Sequence, residues 1–173
     1  MAGTTSRLIC AVLAAYAASA AQAQTHNHDD DTARARMSSY QEVPSLSTAA
    51  SASFTAKVSP GEIRYELTYR GLESDALQAH IHLGQKSVNG GVSVFLCSNL
   101  GNGPVGTQAC PLRAGTISGT ITAANVIGPA GQGIAAGQFD ELISAMRAGV
   151  TYANVHTATF PGGEVRGQIK LED

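Results

Sequence analysis

The fold of this chain is decided by the stretch EIRYELTYRGL at residues 62–72, where apolar and polar side chains alternate. Ile63, Tyr65, Leu67 and Tyr69 share one face of an extended chain, and polar side chains occupy the other face. A period of two residues predicts a β-strand that is buried on one side. The stretch therefore indicates a sheet that packs one face against a core.

Short runs of the same kind recur along the chain, and turns that contain Gly or Pro separate them. In order they are SASFTAKV (51–58), EIRYELTYRGL (62–72), ALQAHIHL (76–83), GVSVFLC (91–97), AGTISGTIT (114–122), VTYANVHT (150–157) and EVRGQIKL (164–171). A first strand is predicted near Tyr40 to Val43. The turn Ser59-Pro60-Gly61 predicts a hairpin between the first two runs. About eight strands at this spacing predict an all-β antiparallel sandwich or barrel.

One segment has helical rather than strand periodicity. Phe139, Leu142, Ile143 and Met146 fall at i, i+3, i+4 and i+7, and Gly149 follows where a helix commonly ends. The pattern predicts one short helix near residues 139–148. Its apolar stripe is expected to pack across an open end or edge of the sheet.

The N-terminus has the parts of a cleavable signal peptide. Arg7 precedes an apolar run from Leu8 to Ala20, and Ala21-Gln22-Ala23 has the small-x-small pattern of a cleavage site. Residues 1–23 are therefore predicted to be removed and the mature chain to be exported. The periplasm is the preferred compartment, and the cell exterior is the second choice. Because a bilayer span needs about 20 apolar residues, no membrane span is expected in the mature chain.

The rest of the sequence predicts one domain behind a short polar leader. Residues 24–36 (QTHNHDDDTARAR) carry much charge and no apolar cluster, which is typical of a disordered segment. Residues 37–173 have the length of a single domain. The formal net charge of −2 and the lack of a basic stripe argue against nucleic acid as a partner.

Two cysteines follow the predicted signal peptide. An even number of cysteines in an exported chain indicates a disulfide, here between Cys97 and Cys110. The alternative is a pair of free thiols that bind a metal. Their spacing is too long for the short C-x-x-C arrangement that such sites use.

Three histidines lie in the predicted domain. Leu77, Ala79, Ile81 and Leu83 share one face of their strand, so His80 and His82 project from the other face, about 7 Å apart at Cα.

On a later strand, Ala153 and Val155 are expected in the core, which turns Tyr152, Asn154 and His156 away from it. Two imidazoles from one strand and a third from a neighbour can meet at one ion, and neutral imidazole suits copper or zinc. The alternative is three exposed histidines that never meet.

Three charged residues are candidates for orienting those imidazoles by contacting the side that does not face the metal. Glu164 and Arg166 stand at i and i+2 near the C-terminus, where a structural ion pair between them is the simpler interpretation. Glu42, in the sequence QEVP, is a similar candidate.

The leader offers a second candidate metal site. Cleavage before Gln24 would create the N-terminus Gln24-Thr25-His26. Its amine, two backbone amides and third-position imidazole form a square-planar nitrogen set suited to Cu(II) or Ni(II). A solvated tail is the alternative, and cyclisation of Gln24 would remove the amine.

Six segments together resemble one known family. They are MSSYQEVPSLST, YELTYRGL, AHIHLG, VSVFLC, GTISGTITAANVIGPAGQGI and ELISAMRAGVTYANVHTATFPGGEVRGQI. In this order they are similar to the CHRD family, whose domain is named after chordin, a secreted antagonist of bone morphogenetic proteins, and also occurs in exported bacterial proteins. The resemblance covers residues 37–171, nearly the whole predicted mature chain.

The resemblance implies an immunoglobulin-like sandwich or barrel, distantly similar to Cu/Zn superoxide dismutase. In that fold an H-x-H strand supplies copper ligands on the outside of the barrel, which implies copper at His80, His82 and His156. Dismutase chemistry of that type is not expected, because only three histidines lie in the domain and a zinc loop is missing.

The sequence therefore predicts an exported metal-binding protein, with copper as the metal and zinc as the alternative. The alternative function is a metal-free extracytoplasmic module that binds a protein or a cell-surface polymer. No paired carboxylates or nucleophile motif independently indicate an enzyme.

Overall fold

The structure is a computed structural model, and it describes Met1 and residues 31–172 of the chain. Nine strands and one α-helix are present there. They are β1 (Asp31–Ser38), β2 (Ser51–Ser59), β3 (Glu62–Arg70), β4 (Ala76–Leu83), β5 (Gly91–Ser98), β6 (Gly115–Ile121), α1 (Phe139–Arg147), β7 (Thr151–Thr157), β8 (Val165–Gln168) and β9 (Lys170–Glu172). Short 3-10 turns cover Ser39–Gln41, Ala123–Asn125 and Ala130–Gln132.

All strand pairs are antiparallel, and the sheet curls into a nearly closed barrel. The strand order is β5-β4-β7-β8-β1-β2-β3-β6, and β9 adds to β1. Along β3, Ile63 and Leu67 are fully buried, whereas Arg64 and Glu66 are exposed. The predicted all-β antiparallel fold is therefore confirmed, because period-two burial on one side is what a barrel wall requires.

The loop that joins β5 to β6 bridges the seam between the two end strands. Cys97 of β5 forms a disulfide with Cys110 of this loop, as predicted. The Gln108 amide donates hydrogen bonds to the Leu96 carbonyl at 3.3 Å and to the Ser118 carbonyl at 3.0 Å. The Gln108 side chain therefore links β5 to β6 where strand pairing stops, and the disulfide holds its loop against β5.

The predicted helix is confirmed as α1. Phe139, Leu142, Ile143 and Met146 are buried, as the i, i+3, i+4, i+7 stripe requires. Gly149 follows with φ +68°, a conformation that favours glycine and ends the helix.

The start of the domain differs from the prediction. Asp31–Ser38 form β1, so the disordered leader predicted for residues 24–36 is wrong for its last six residues. Ala33, Ala35 and Met37 are buried while Arg34 and Arg36 are exposed. This is strand alternation in which small alanines fill the core face. Charged neighbours and short apolar side chains made it look like a polar tail.

Two further differences concern the strands at the ends of the chain. The strand predicted near Tyr40 to Val43 is a 3-10 turn at Ser39–Gln41 followed by irregular chain. The last predicted run is divided into β8 and β9 at the buried Ile169, whose N–H donates to the Thr151 carbonyl. The predicted signal peptide, the rest of the leader and the Gln24-Thr25-His26 site lie outside the described residues.

Candidate metal centre

Strand β4 places two histidines on the outer face of the barrel. Ala79 and Ile81 belong to the core, so His80 and His82 project from the opposite face. β4 lies between β5 and β7. Two register shifts on the β5 side adjust the pairing at these residues, and such bulges often re-aim side chains beside functional sites.

Strand β7 brings the third histidine to the same face. Asn154 pairs with His80, and His156 pairs with Gln78, two positions away along β4. Val155 lies in the core, which turns His156 outward, as predicted. The three histidines of the domain therefore converge.

The three imidazoles form a tight group. Nδ1 of His80 lies 3.1 Å from Nε2 of His156. The ring centres of His80 and His82 are 5.3 Å apart, and those of His82 and His156 are 5.9 Å apart. One ring nitrogen from each residue can be chosen so that all lie within 4.8 Å of one another. Across residues 31–172, no other His, Cys, Asp or Glu residues form a metal-sized group of three.

Although the group is on the outer face, it is shielded from solvent. The exposed fractions of His80, His82 and His156 are 2%, 6% and 7%. Phe95 meets His80 edge-on, with ring centres 4.4 Å apart, and Tyr152 stacks on His82. Gly90, in the loop between β4 and β5, contacts His82, and Pro161, in the loop between β7 and β8, contacts His156. Both loops therefore lie against the outer side of the group.

Burial keeps the imidazoles neutral. Removal from water lowers the pKa of His80 to about 2 and that of His82 to about 4, and it also lowers the pKa of His156. The hydrogen bonds to the Gly90 and Pro161 carbonyls partly oppose this lowering of the pKa at His82 and His156, and the neighbouring imidazoles and Arg166 lower the pKa values by smaller amounts. Neutral imidazole is the form that has a lone pair for a metal.

Backbone carbonyls determine which nitrogen holds that lone pair. Nδ1 of His82 lies 3.0 Å from the Gly90 carbonyl, and Nδ1 of His156 lies 3.0 Å from the Pro161 carbonyl. Because a carbonyl only accepts, both Nδ1 atoms are protonated and both Nε2 atoms have lone pairs. His80 then donates from Nδ1 to His156 Nε2, which puts its own lone pair on Nε2.

Two of these lone pairs accept no hydrogen bond within the described part of the protein. Nε2 of His80 and Nε2 of His82 are fully buried and have no hydrogen-bond partner there. A buried acceptor without a partner costs about 1–3 kcal/mol, so native proteins keep few of them. Two such nitrogen acceptors lie close together in one cluster of imidazoles, and free nitrogen lone pairs are what a metal ion requires.

Comparison with known proteins supports the family resemblance. The CHRD domain family matches residues 33–169, most of the sequence. The chain belongs to the CHRD domain family. No match was found among curated proteins or among solved structures. Within the described residues, no helix of this CHRD domain is long and apolar enough to cross a membrane.

A buried ion pair lies beside the histidines of the CHRD domain. Arg166 Nε donates to Glu42 Oε2 at 3.0 Å, and Asn154 Nδ2 donates to Glu42 Oε1 at 2.5 Å. Burial raises the pKa of Glu42, and the Arg166 charge opposes this effect. Arg166 also donates to the Val88 carbonyl and to Asn89 Oδ1. The Glu42–Arg166 pair therefore links the start of the domain to the loop between β4 and β5, whose Gly90 carbonyl contacts His82.

The ion pair predicted between Glu164 and Arg166 is wrong, because Arg166 pairs with Glu42. Glu164 lies just before β8 and is fully buried. Its carboxylate accepts hydrogen bonds from Thr157 Oγ1 at 2.8 Å, the Glu73 N–H at 3.0 Å and Thr48 Oγ1 at 3.3 Å. These donors from the end of β7 and from two loops satisfy Glu164, and none of them belongs to a histidine of the cluster.

The structure also reveals contributors that the sequence analysis did not assign to the site. Gly90 and Pro161 act through their carbonyls, which every residue type possesses, so the one signal in the sequence is the glycine that the close approach to β4 requires at position 90. Asn154 and Tyr152 were expected on the outer face but without a role. Asn154 holds Glu42, and Tyr152 stacks on His82.

Proposed function

We propose that this CHRD protein is an exported metal-binding protein that holds copper through His80, His82 and His156. The observation that carries the proposal is the pair of buried Nε2 atoms on His80 and His82 without a hydrogen-bond partner among the described residues. A bound ion would use both lone pairs, and it would use that of His156 once the hydrogen bond from His80 Nδ1 is released.

The donor set favours a borderline metal. Neutral imidazoles suit copper, zinc, iron and nickel, whereas calcium and magnesium prefer oxygen ligands. Among divalent first-row ions, copper binds nitrogen sites most tightly. Copper is therefore the proposed metal, and zinc is the alternative, since three imidazoles also form zinc sites that keep a further position for another ligand.

The proposed compartment is outside the cytoplasm, with the periplasm as the first choice. The signal-peptide pattern at residues 1–23 supports export. The Cys97–Cys110 disulfide is consistent with it, because disulfides persist in oxidising compartments. Burial of the histidines favours binding or storage of the metal over turnover of a substrate.

Metal analysis of protein expressed with its own signal peptide tests the proposal. To separate the domain from the N-terminal leader, the starting protein carries His26→Ala and His28→Ala. We expect about one copper per chain after reconstitution and removal of loose ions. Adding His80→Ala and His156→Ala should abolish tight copper binding while the disulfide and the β-sheet spectrum persist.

Unchanged copper affinity in the His80→Ala, His156→Ala protein would contradict the proposal. A folded starting protein that takes up neither copper nor zinc would instead favour the metal-free interaction module. Zinc uptake in preference to copper would keep the site and change the metal.

A further inference from the structure

We infer that Tyr152 is the positioning residue of His82: its ring fixes the plane of the imidazole, and its hydroxyl anchors the carbonyl that fixes the imidazole tautomer. The consequence for metal affinity rests on the proposed function. The positioning itself concerns the metal-free protein and can be tested there.

The ring of Tyr152 is the middle layer of a three-residue stack across adjacent strands. His82 of β4 lies on it with ring centres 4.7 Å apart and planes only 2° apart. The Arg166 guanidinium of β8 lies 4.3 Å from the centre of the same ring. Since β7 runs between β4 and β8, the two partners cover opposite faces of Tyr152. The imidazole of His82 therefore has a fixed plane.

The hydroxyl of Tyr152 acts on the same imidazole through Gly90. The Gly90 N–H donates to Tyr152 Oη at 3.1 Å, and the Gly90 carbonyl lies 3.0 Å from Nδ1 of His82. One residue of the loop thus connects the tyrosine hydroxyl to the histidine ring. A Cβ at position 90 would lie 1.7 Å from the Leu83 carbonyl oxygen, so only glycine can approach β4 this closely.

Arg166 holds the neighbouring part of the loop. It donates to the Val88 carbonyl at 3.2 Å and to Asn89 Oδ1 at 2.5 Å. Arg166 is itself fixed by Glu42. The segment 88–90 is therefore held at one end by Arg166 and at the other by Tyr152, with its Gly90 carbonyl directed at His82.

This arrangement determines where His82 has its lone pair. With the Gly90 carbonyl in place, the proton stays on Nδ1 and the lone pair stays on the buried Nε2. Without that carbonyl, the tautomer protonated on Nε2 becomes accessible, and this tautomer cannot offer Nε2 to a metal. Partners behind a ligand typically change metal affinity by 10–100-fold.

Two substitutions separate the ring from the hydroxyl. Tyr152→Phe keeps the stacked ring and removes the hydroxyl, and Tyr152→Leu removes both. Tyr69→Phe is the matched control, because Tyr69 is equally buried and its hydroxyl donates to the Pro111 carbonyl in another part of the barrel.

The first measurement is the imidazole ¹⁵N NMR spectrum of the metal-free proteins. We expect His82 to be protonated on Nδ1 in the starting protein and in Tyr69→Phe, and to show a mixture of tautomers in Tyr152→Phe. The second measurement is copper affinity by competition with a chelator. We expect a loss of about 10-fold in Tyr152→Phe, approaching 100-fold in Tyr152→Leu, and no change in Tyr69→Phe.

Wild-type tautomer and affinity in Tyr152→Phe and Tyr152→Leu would overturn the inference and leave the metal site standing. Tautomer changes in a protein that binds no metal would support the positioning and refute the proposed function. If Tyr152→Leu does not fold, Tyr152→Phe decides alone, because it keeps the packing.

Discussion

Nδ1 of His80 lies 3.1 Å from Nε2 of His156, although 76 positions separate the two residues in the chain. The antiparallel pairing of β4 with β7 creates this contact, and the carbonyl of Pro161 makes His156 the acceptor in it. The contact leaves the lone pair of His80 on a buried Nε2. A metal-free protein therefore retains an unsatisfied polar cluster that a bound ion would relieve.

Copper should stabilise the folded protein, because a ligand that binds only the native state lowers its free energy. At a free copper concentration 100-fold above Kd, the gain is about 2.7 kcal/mol, which corresponds to a rise in Tm of roughly 5–10 °C for a domain of this size. Differential scanning calorimetry of the His26→Ala, His28→Ala protein measures the shift. The same protein with His80→Gln and His156→Gln should show no shift.

The metal-free protein should lose stability as the pH falls below 6.5. The folded-state pKa values of the three histidines are lowered by burial, so the unfolded chain takes up protons that the folded chain refuses. Their contribution is fully present above pH 6.5. It falls by up to about 1.4 kcal/mol per pH unit for each histidine, and for His82 the loss continues down to about pH 4.

Urea unfolding at pH 7.5 and pH 5.5 measures this loss. Replacing all three histidines with glutamine should flatten the dependence in this interval. Equal slopes in the two proteins would show that other groups cause the acid sensitivity.

Breaking the Glu42–Arg166 pair should be costly. Arg166→Met leaves the Glu42 carboxylate buried without its cation, and such changes cost about 3–5 kcal/mol. Adding Glu42→Gln should recover part of that loss, since the buried charge is then gone. The matched control is Arg113→Met, whose exposed pair with Asp75 contributes at most about 1 kcal/mol. Urea unfolding of the unmutated protein, Arg166→Met, Glu42→Gln and the double variant gives the coupling energy, and additive losses would contradict it.

Removal of the disulfide should lower stability without removing the metal site. Cys97→Ala with Cys110→Ala opens a link between residues 13 positions apart, which is worth about 3 kcal/mol. Neither sulfur belongs to the histidine group, so copper stoichiometry should stay at one per chain. Loss of copper from the folded double variant would contradict the three-histidine assignment.

Local periodicity predicted most of the barrel. Strands β2 to β7 and helix α1 lie where the sequence patterns indicated, and one face of β4 was expected to present His80 and His82. β1 was missed because alanines form its core face between arginines.

The surroundings of the histidines depend on long-range contacts. Glu42 meets Arg166 across 124 positions, and Gly90 meets Tyr152 across 62 positions. Alternation along a strand assigns a side chain to a face but does not identify its partner on another strand. Loop carbonyls are harder still to recognise, because every residue type has one, and only the glycine required at position 90 marks the close approach of its loop to β4.

The most direct test of the central claim is the X-ray absorption spectrum of copper bound to the His26→Ala, His28→Ala protein. Scattering from beyond the first coordination sphere counts the imidazoles at the metal. The account predicts three imidazoles per copper, and loss of this signal when His80 and His156 are replaced with glutamine. Bound copper with fewer than three imidazoles, or a spectrum that is unchanged by those replacements, would contradict it.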